Sequence, residues 1–462
     1  MIHPHKKEET HLHFVGIGGI GMSGIAKVFL NQGYPVTGSD QVETDTTKQL
    51  TQLGAKVFIG HNASHVKNAH VVVVSSAIKS NNPEVSEAKK LRIPVIPRAE
   101  MLAELMRGKT GIAIAGSRGK TTTTSMLATV LTHAGLDPTL VIGGKVDSFG
   151  GNAKLGQGQY VVAEADESDG SFLHLPATYG IITNIDNDHL DHFGSLSALE
   201  DAFIEFVNHF PFYGLVAVCA EDAGVRRTLE RMAKPITTYG FSPTYDYYAT
   251  EITLKSMASR FLVHSQNAKN PIGSIELNVP GKHNILNALA IIAIADRLEI
   301  SFSKIQAALL SFKGVKRRFE IRLQNEKNTI IDDYAHHPTE IAATLETARN
   351  FWTKRIITVF QPHRYTRTHI CYDGFLSAFI NTDVLIISDI YSAGEDPIEG
   401  INSEQLVKSI KRVASVNQKI IYGGDLENTR LKLLEELKTG DLVLCLGAGS
   451  VTQLTERLLK YV

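Results

Sequence analysis

Short apolar runs that end in glycine or acidic residues, each followed by apolar positions at helical spacing, recur along the whole chain. Gly111-Ile112-Ala113-Ile114-Ala115 reads as a buried strand, and Leu127, Val130, Leu131 and Ala134 mark the helix after it. The same alternation begins at His13-Phe14-Val15, with a helix through Phe29. It continues through Val71-Val72-Val73-Val74 and Ile93-Pro94-Val95-Ile96 to a helix around Arg98 to Met106. Further runs are Tyr160-Val161-Val162-Ala163 and Tyr179 to Ile185, and a helix is predicted over Ile285 to Leu298. Near the C-terminus they are Ile330-Ile331, Ile356 to Phe360, Val384 to Ile390, Ile420-Ile421-Tyr422 and Leu442 to Leu446. Strands alternating with helices predict an α/β chain built of open, largely parallel sheets. With 462 residues it has room for about three domains. No internal repeat, low-complexity tract or long Gly/Ser or Pro-rich linker interrupts it.

Ligands of such sheets bind beyond the strand ends, so the residues there carry the chemistry. The stretch Gly116-Ser117-Arg118-Gly119-Lys120-Thr121-Thr122 lies between a strand and a helix. Glycines let backbone amides turn toward a triphosphate, Lys120 reaches the β- and γ-phosphates, and the Thr121 hydroxyl suits Mg²⁺. Two residues rather than four separate the glycines, and the plain alternative is a glycine turn with a solvated lysine. After the Tyr160 strand, Glu164, Asp166, Glu167 and Asp169 leave together. A carboxylate at that point is a common Mg²⁺ ligand, and Glu164 is the candidate. His189 in Asp186-Asn187-Asp188-His189 reads on sequence alone as a surface histidine. Asn284 stands at a predicted helix N-cap, where it either caps or meets a nucleotide.

Gly16, Gly18 and Gly21, with Asp40 near the end of the next strand, match a dinucleotide fingerprint. Alone this favours an NAD enzyme, but it reports only a pyrophosphate on a helix N-terminus, which a UDP-sugar also has. Ser75 and Ser76 close a buried strand, as punctuation or as ligand contacts. Near the C-terminus, Asp333-Tyr334-Ala335-His336-His337-Pro338 and Gln361-Pro362-His363-Arg364-Tyr365-Thr366-Arg367 follow successive strands. Arg364 and Arg367 together suit a carboxylate.

Composition narrows the class. Apolar residues are 43%, charged residues 21%, and the net charge is −1. Nothing there favours nucleic acid or an anionic membrane surface, and no run approaches a membrane span. Cys219, Cys371 and Cys445 lie far apart in or near apolar stretches and read as buried, reduced thiols. His3, His5, His11 and His13 read as part of a mobile polar lead-in rather than a metal site. Without a secretory segment at the N-terminus, the expectation is a cytoplasmic enzyme.

Taken in order, Gly16-Ile17-Gly18-Gly19-Ile20-Gly21-Met22-Ser23-Gly24, Gly119-Lys120-Thr121-Thr122-Thr123-Thr124, Glu164-Ala165-Asp166-Glu167-Ser168-Asp169, Gly281-Lys282-His283-Asn284, Asp333 to Pro338 and Gln361 to Tyr365 resemble the muramyl ligase family of peptidoglycan synthesis. The resemblance spans nearly the whole chain. It implies a three-domain α/β protein: a Rossmann-like UDP-sugar-binding domain (1–107), a central phosphate-loop ATP-binding domain (108–314) and a Rossmann-like C-terminal amino-acid-binding domain (315–462). The implied reaction joins L-alanine to the lactyl carboxylate of UDP-N-acetylmuramate through an acyl phosphate, consuming ATP. The step is cytoplasmic and serves cell-wall biogenesis, hence cell shape and division. Gly18, Gly19, Ile20, Gly21, Asp40, Ser75 and Ser76 would hold the UDP-sugar. The loop Gly116 to Thr122, with Asn284, Arg318 and Asp333, would hold ATP. Thr121, Glu164 and His189 would bind two Mg²⁺ ions, and Lys120, Glu164, His189 and His336 would be catalytic. Tyr334, His336, Arg364 and Arg367 would face the alanine, with His336 a base or an orienting group. The expected assembly is a monomer or weak homodimer. Ser117-Arg118 departs from the Thr-His usual in the family, which adds a cation beside the phosphates.

Overall fold

A computed structural model describes residues 7–75, 77–146, 151–168, 170–187, 190–255 and 257–459. Ser76 and His189 lie outside the described residues. The chain forms two compact units. The first comprises residues 1–252, 261–276 and 285–312, and the second 253–260, 277–284 and 313–462.

The N-terminal sheet has five parallel strands in the order Lys56–Ile59, Val36–Asp40, Leu12–Val15, Val71–Val74, Val95–Pro97. The first strand in sequence lies inside the sheet, so the strand order reverses beside it. Its C-terminal end is therefore a crevice, and the glycine turn Gly16–Gly19 and helix Ile20–Asn31 open there. Two predicted lead-in histidines belong elsewhere. His13 is fully buried in the strand Leu12–Val15, and His11 is tied to its neighbours by Asn68, His70 and Thr37. Both are held because polar partners meet them inside the domain. Behind the crevice Glu84, itself 0% exposed, accepts from Ser39 Oγ at 2.6 Å and lies 2.6 Å from His65 Nδ1 and 3.2 Å from His61 Nδ1. Burial alone would push this carboxyl up. His13, 3.8 Å away, and the bonds from Ser39 and His65 pull it down to about 2.

The central sheet has ten strands. Its middle is the parallel run Ile236–Gly240, Leu215–Cys219, Tyr179–Ile182, Thr110–Ala115, Tyr160–Glu164, Thr139–Val146, and Gly151–Lys154 pairs antiparallel at one end. Strand Thr110–Ala115 is buried from Gly111 onward, which accounts for its unbroken apolar run. The helix predicted from Ile285 starts earlier, spanning Lys282–Arg297. Asn284 is thus its third residue and not its cap. The chain enters through Gly281 at φ +99°, and Asn284 Nδ2 donates back to the Pro280 carbonyl at 2.7 Å.

In the second unit six strands follow the order Glu320–Gln324, Thr329–Asp333, Leu442–Leu446, Ile356–Phe360, Val384–Ser388, Lys419–Gly424. All pairs are parallel except the first, an antiparallel edge invisible in the sequence pattern. Asp333, Leu446 and Phe360 end level with one another. The loops after these three strands therefore emerge side by side. Cys219 and Cys445 are buried as expected, but Cys371 is only half-buried, because it sits between two short helices, Tyr365–Ile370 and Tyr372–Ala378.

Candidate functional site

The phosphate loop is the turn between strand Thr110–Ala115 and helix Lys120–His133. Gly116 at φ +132° has room for no side chain: a Cβ there would lie 2.1 Å from Thr183 Oγ1. Gly119, at φ +82°, precedes the helix and leaves its first amides without a capping side chain. The neighbouring strand end clamps this turn. Asn184 accepts from the Arg118 amide at 3.0 Å and donates to the Arg118 carbonyl at 2.9 Å. Ser117 exchanges hydrogen bonds with the backbone of Asp186. The Arg118 guanidinium is paired with Asp186 at 2.5 Å, which fixes the cation that the sequence left without a partner.

Lys120 Nζ donates to the Gly116 carbonyl at 2.6 Å and to both oxygens of Glu167 at 2.8 Å. Burial pulls the Lys120 pKa down, but Glu167, Asp166 and Glu164 outweigh it and hold the ammonium above its ordinary value. The lysine is therefore a fixed positive charge. Thr121 Oγ1 donates to Glu164 Oε2 at 3.2 Å, and Glu164 Oε1 accepts from the Gly143 amide at 2.7 Å. A hydroxyl and a carboxylate side by side are the hard oxygen donors that suit Mg²⁺. Glu167 had no assigned role in the sequence. Its signal was its place among acids leaving one strand end. Asn287, 3.3 Å from where a Gly119 Cβ would sit, was missed because nothing in its helix pattern marks it.

In the N-terminal crevice, the Gly18 amide donates to Asp40 Oδ2 at 2.8 Å. A Cβ on Gly18 would also lie 2.8 Å from that oxygen, so only glycine permits the contact. Asp40 thus ties the turn in place. Gly19 precedes helix Ile20–Asn31 and cannot cap it with a side chain, so the helix's first amides are available to an anion. Ser75 is half-buried close to Gly16.

The second unit gathers the C-terminal candidates. Tyr334 lies beneath two guanidinia, Arg317 at 4.9 Å and Arg318 at 5.2 Å from its ring centre. Asp333, pushed up to about 6 by burial, accepts from the Phe319 amide at 2.6 Å and the Ala335 amide at 2.7 Å. It fastens the loop that presents Arg318. His336 Nδ1 lies 2.9 Å from the Tyr334 carbonyl, which can only accept, so the proton sits on Nδ1 and Nε2 is left as a base. Burial holds the His336 pKa down, Glu340 raises it and Arg367 lowers it, for a net fall. His363 stacks near Tyr391, and burial together with the Arg367, His336 and Arg364 charges brings its pKa to about 3. It is neutral, so its Nδ1 accepts from Arg367 at 3.1 Å. Arg364 adopts φ +70° and ψ 140°, a costly backbone for a non-glycine residue. Glu395 braces its loop by accepting from the Thr366 amide and hydroxyl. Glu395 and Tyr391 were missed because they come from a distant loop with no motif.

A lysine fixed on a glycine turn, with a hydroxyl and acids from the adjoining strand, belongs to enzymes that work on nucleoside triphosphates. The fold and this turn define an α/β enzyme of the phosphate-loop class. Three family models then match successive parts of the chain: "Mur ligase family, catalytic domain" over residues 11–110, "Mur ligase middle domain" over 114–295 and "Mur ligase, glutamate ligase domain" over 317–449. The chain belongs to the Mur ligase family. It is 51% identical to the UDP-N-acetylmuramate–L-alanine ligase of Geotalea daltonii, covering 97% of each chain. A solved UDP-N-acetylmuramate-alanine ligase from Thermotoga maritima superposes with a TM-score of 0.82 at 31% identity, over 97% of this chain and 98% of that one. A murein peptide ligase from Psychrobacter arcticus gives 0.71 at 26%, over 98% of both.

Proposed function

We propose that this enzyme joins L-alanine to the lactyl carboxylate of UDP-N-acetylmuramate, converting ATP to ADP and phosphate, as a step of peptidoglycan synthesis. The observation that carries this reading is 51% identity over 97% of the chain to a ligase of that name, with the lysine and acids of a phosphate loop in place. The three domains divide at 107/108 and 314/315.

The lactyl carboxylate attacks the γ-phosphorus, ADP leaves, and an acyl phosphate forms. The alanine nitrogen then attacks the acyl carbon and phosphate departs. Two anions meet in the first step, and the fixed charge of Lys120 offsets their repulsion. Thr121 and Glu164 would hold Mg²⁺, whose charge further neutralises the phosphates; His189 is the candidate for a second ion. Gly18, Gly19, Ile20 and Gly21, with Asp40, Ser75 and Ser76, take the UDP-sugar. The backbone of Gly116 to Thr122, with Asn284, Arg318 and Asp333, takes ATP. Arg364 and Arg367 take the alanine carboxylate beside Tyr334, and His336 Nε2 accepts the proton that the ammonium must lose before it can attack. No helix among the described residues is long and apolar enough to cross a membrane. The proposed enzyme works in the cytoplasm as a monomer or weak homodimer.

The test is phosphate release with UDP-N-acetylmuramate, Mg·ATP and alanine, serine or glycine in turn. Release that needs both sugar and alanine is expected, whereas release without either, or only with a peptide in place of alanine, overturns the assignment. Arg364→Ala is expected to raise the KM for alanine about tenfold or more while moving that for ATP little. The reverse pattern in steady-state kinetics reassigns the arginine.

A further inference from the structure

Two helix N-termini set the distance of the first chemical step. Helix Ile20–Asn31 receives the sugar nucleotide, on the reading above, and helix Lys120–His133 receives the triphosphate. Their relation depends on what joins the N-terminal sheet to the central one.

Asn152 stands on the end strand Gly151–Lys154 of the central sheet. Its Nδ2 donates to the Ile20 carbonyl at 2.6 Å and to Ser23 Oγ at 3.1 Å. Both acceptors belong to the first turn of helix Ile20–Asn31. Ser23 Oγ itself donates to the Ile20 carbonyl at 3.0 Å, so the three groups form a closed set. One residue on, a Cβ at Gly24 would lie 3.4 Å from Ala153 Cβ and from Asn152 Nδ2. Glycine at 24 lets the strand rest directly on the helix. The sequence pattern included Gly24 but gave it no role.

A second joint involves Arg98. Its side chain passes over Gly21, where a Cβ would lie 3.1 Å from Arg98 Cδ. Its guanidinium then reaches Asp166 Oδ2 at 3.0 Å. Asp166 is next to Glu167, which grips Lys120. The Asp166 carboxylate thus meets Arg98 directly, beside the residue that holds Lys120. With Asp166 40% exposed, the pair adds little to stability. Its geometry, spanning the two sheets, is what it contributes.

We propose that Asn152, together with the Arg98–Asp166 pair, is a two-point mount that fixes the sugar-nucleotide turn relative to the phosphate loop. Asn152 is a positioning residue for phosphoryl transfer, acting through the first turn of helix Ile20–Asn31. It touches no reacting atom. The proposal rests on the ligase reading above.

The experiment compares the intact protein with Asn152→Ala and with Asn152→Ala/Arg98→Gln. Calorimetry gives the Kd of UDP-N-acetylmuramate alone and of a magnesium-bound non-hydrolysable ATP analogue alone. Rapid quench gives the single-turnover rate of phosphoryl transfer with all sites saturated, and thermal melting confirms the fold. Misplacing reactants by about 1 Å costs on the order of 10²-fold in rate. The expected result is therefore both Kd values within about twofold, a rate about tenfold lower in Asn152→Ala, and about 10²-fold lower in the double variant. An unchanged rate overturns the mount. So does a rate loss matched by an equal loss of affinity for either ligand alone, which would make Asn152 part of a binding cradle. If the unsubstituted protein binds neither ligand, the ligase reading fails, and the mount with it.

Discussion

Lys120→Ala is expected to lower sugar- and alanine-dependent phosphate release by about 10²-fold or more, the usual cost of one charge contact made to a transition state. At 1.36 kcal/mol per decade this is roughly 3 kcal/mol of lost stabilisation. The side chain is held at 2.8 Å by a carboxylate that is 0% exposed. Truncation therefore also takes from buried Glu167 the ammonium it holds, which weakens the fold as well as the reaction. The two losses separate in Lys120→Met/Glu167→Gln, where the ammonium and the carboxylate that holds it are removed together. That double variant is expected to melt near the parent temperature and still to lose the activity. Near-parental turnover in it would remove Lys120 from the chemistry.

Glu84→Gln is expected to destabilise the N-terminal sheet by about 3 kcal/mol at pH 7. The figure follows from a carboxyl at about 2 in the folded chain, against 4.5 for the free group, at 1.36 kcal/mol per pH unit. Because the folded value is depressed, the stabilisation is complete above about pH 4.5 and is lost as the pH falls through about 2. The gap between parent and variant in denaturant midpoints is thus expected to shrink to less than half by pH 3. A gap that is constant with pH would mean that Glu84 acts by shape alone.

How much of this was readable beforehand depends on distance along the chain. The phosphate loop was legible because strand, turn and helix are contiguous, and Gly116 and Gly119 do their work locally. The same is true of the turn from Gly16 to Gly21. What the pattern hid was anything made by pairing remote residues. Glu84 reaches across to Ser39, His61 and His65, and Glu395 reaches back to Thr366. Neither has a local signature, because the partners share no period or motif. His13 misled because a histidine near a chain start is ordinarily solvated, whereas here Thr37 accepts or donates at its Nδ1 inside the sheet. Asn284 misled by three positions, since Gly281 turns the chain early enough to begin the helix before it.

The three cysteines differ sharply in what a reagent in solution would meet. Burial pushes the Cys219 and Cys445 thiols up to about 12, so only on the order of one molecule in 10⁵ carries either as thiolate at neutral pH. Cys371 is the half-buried exception, four residues beyond Arg367 and bonded through its amide to that arginine's carbonyl. A fluorophore offered to the unaltered protein therefore has one practical point of attachment, beside the segment assigned to alanine, and amino-acid binding becomes something that can be watched as a change in emission.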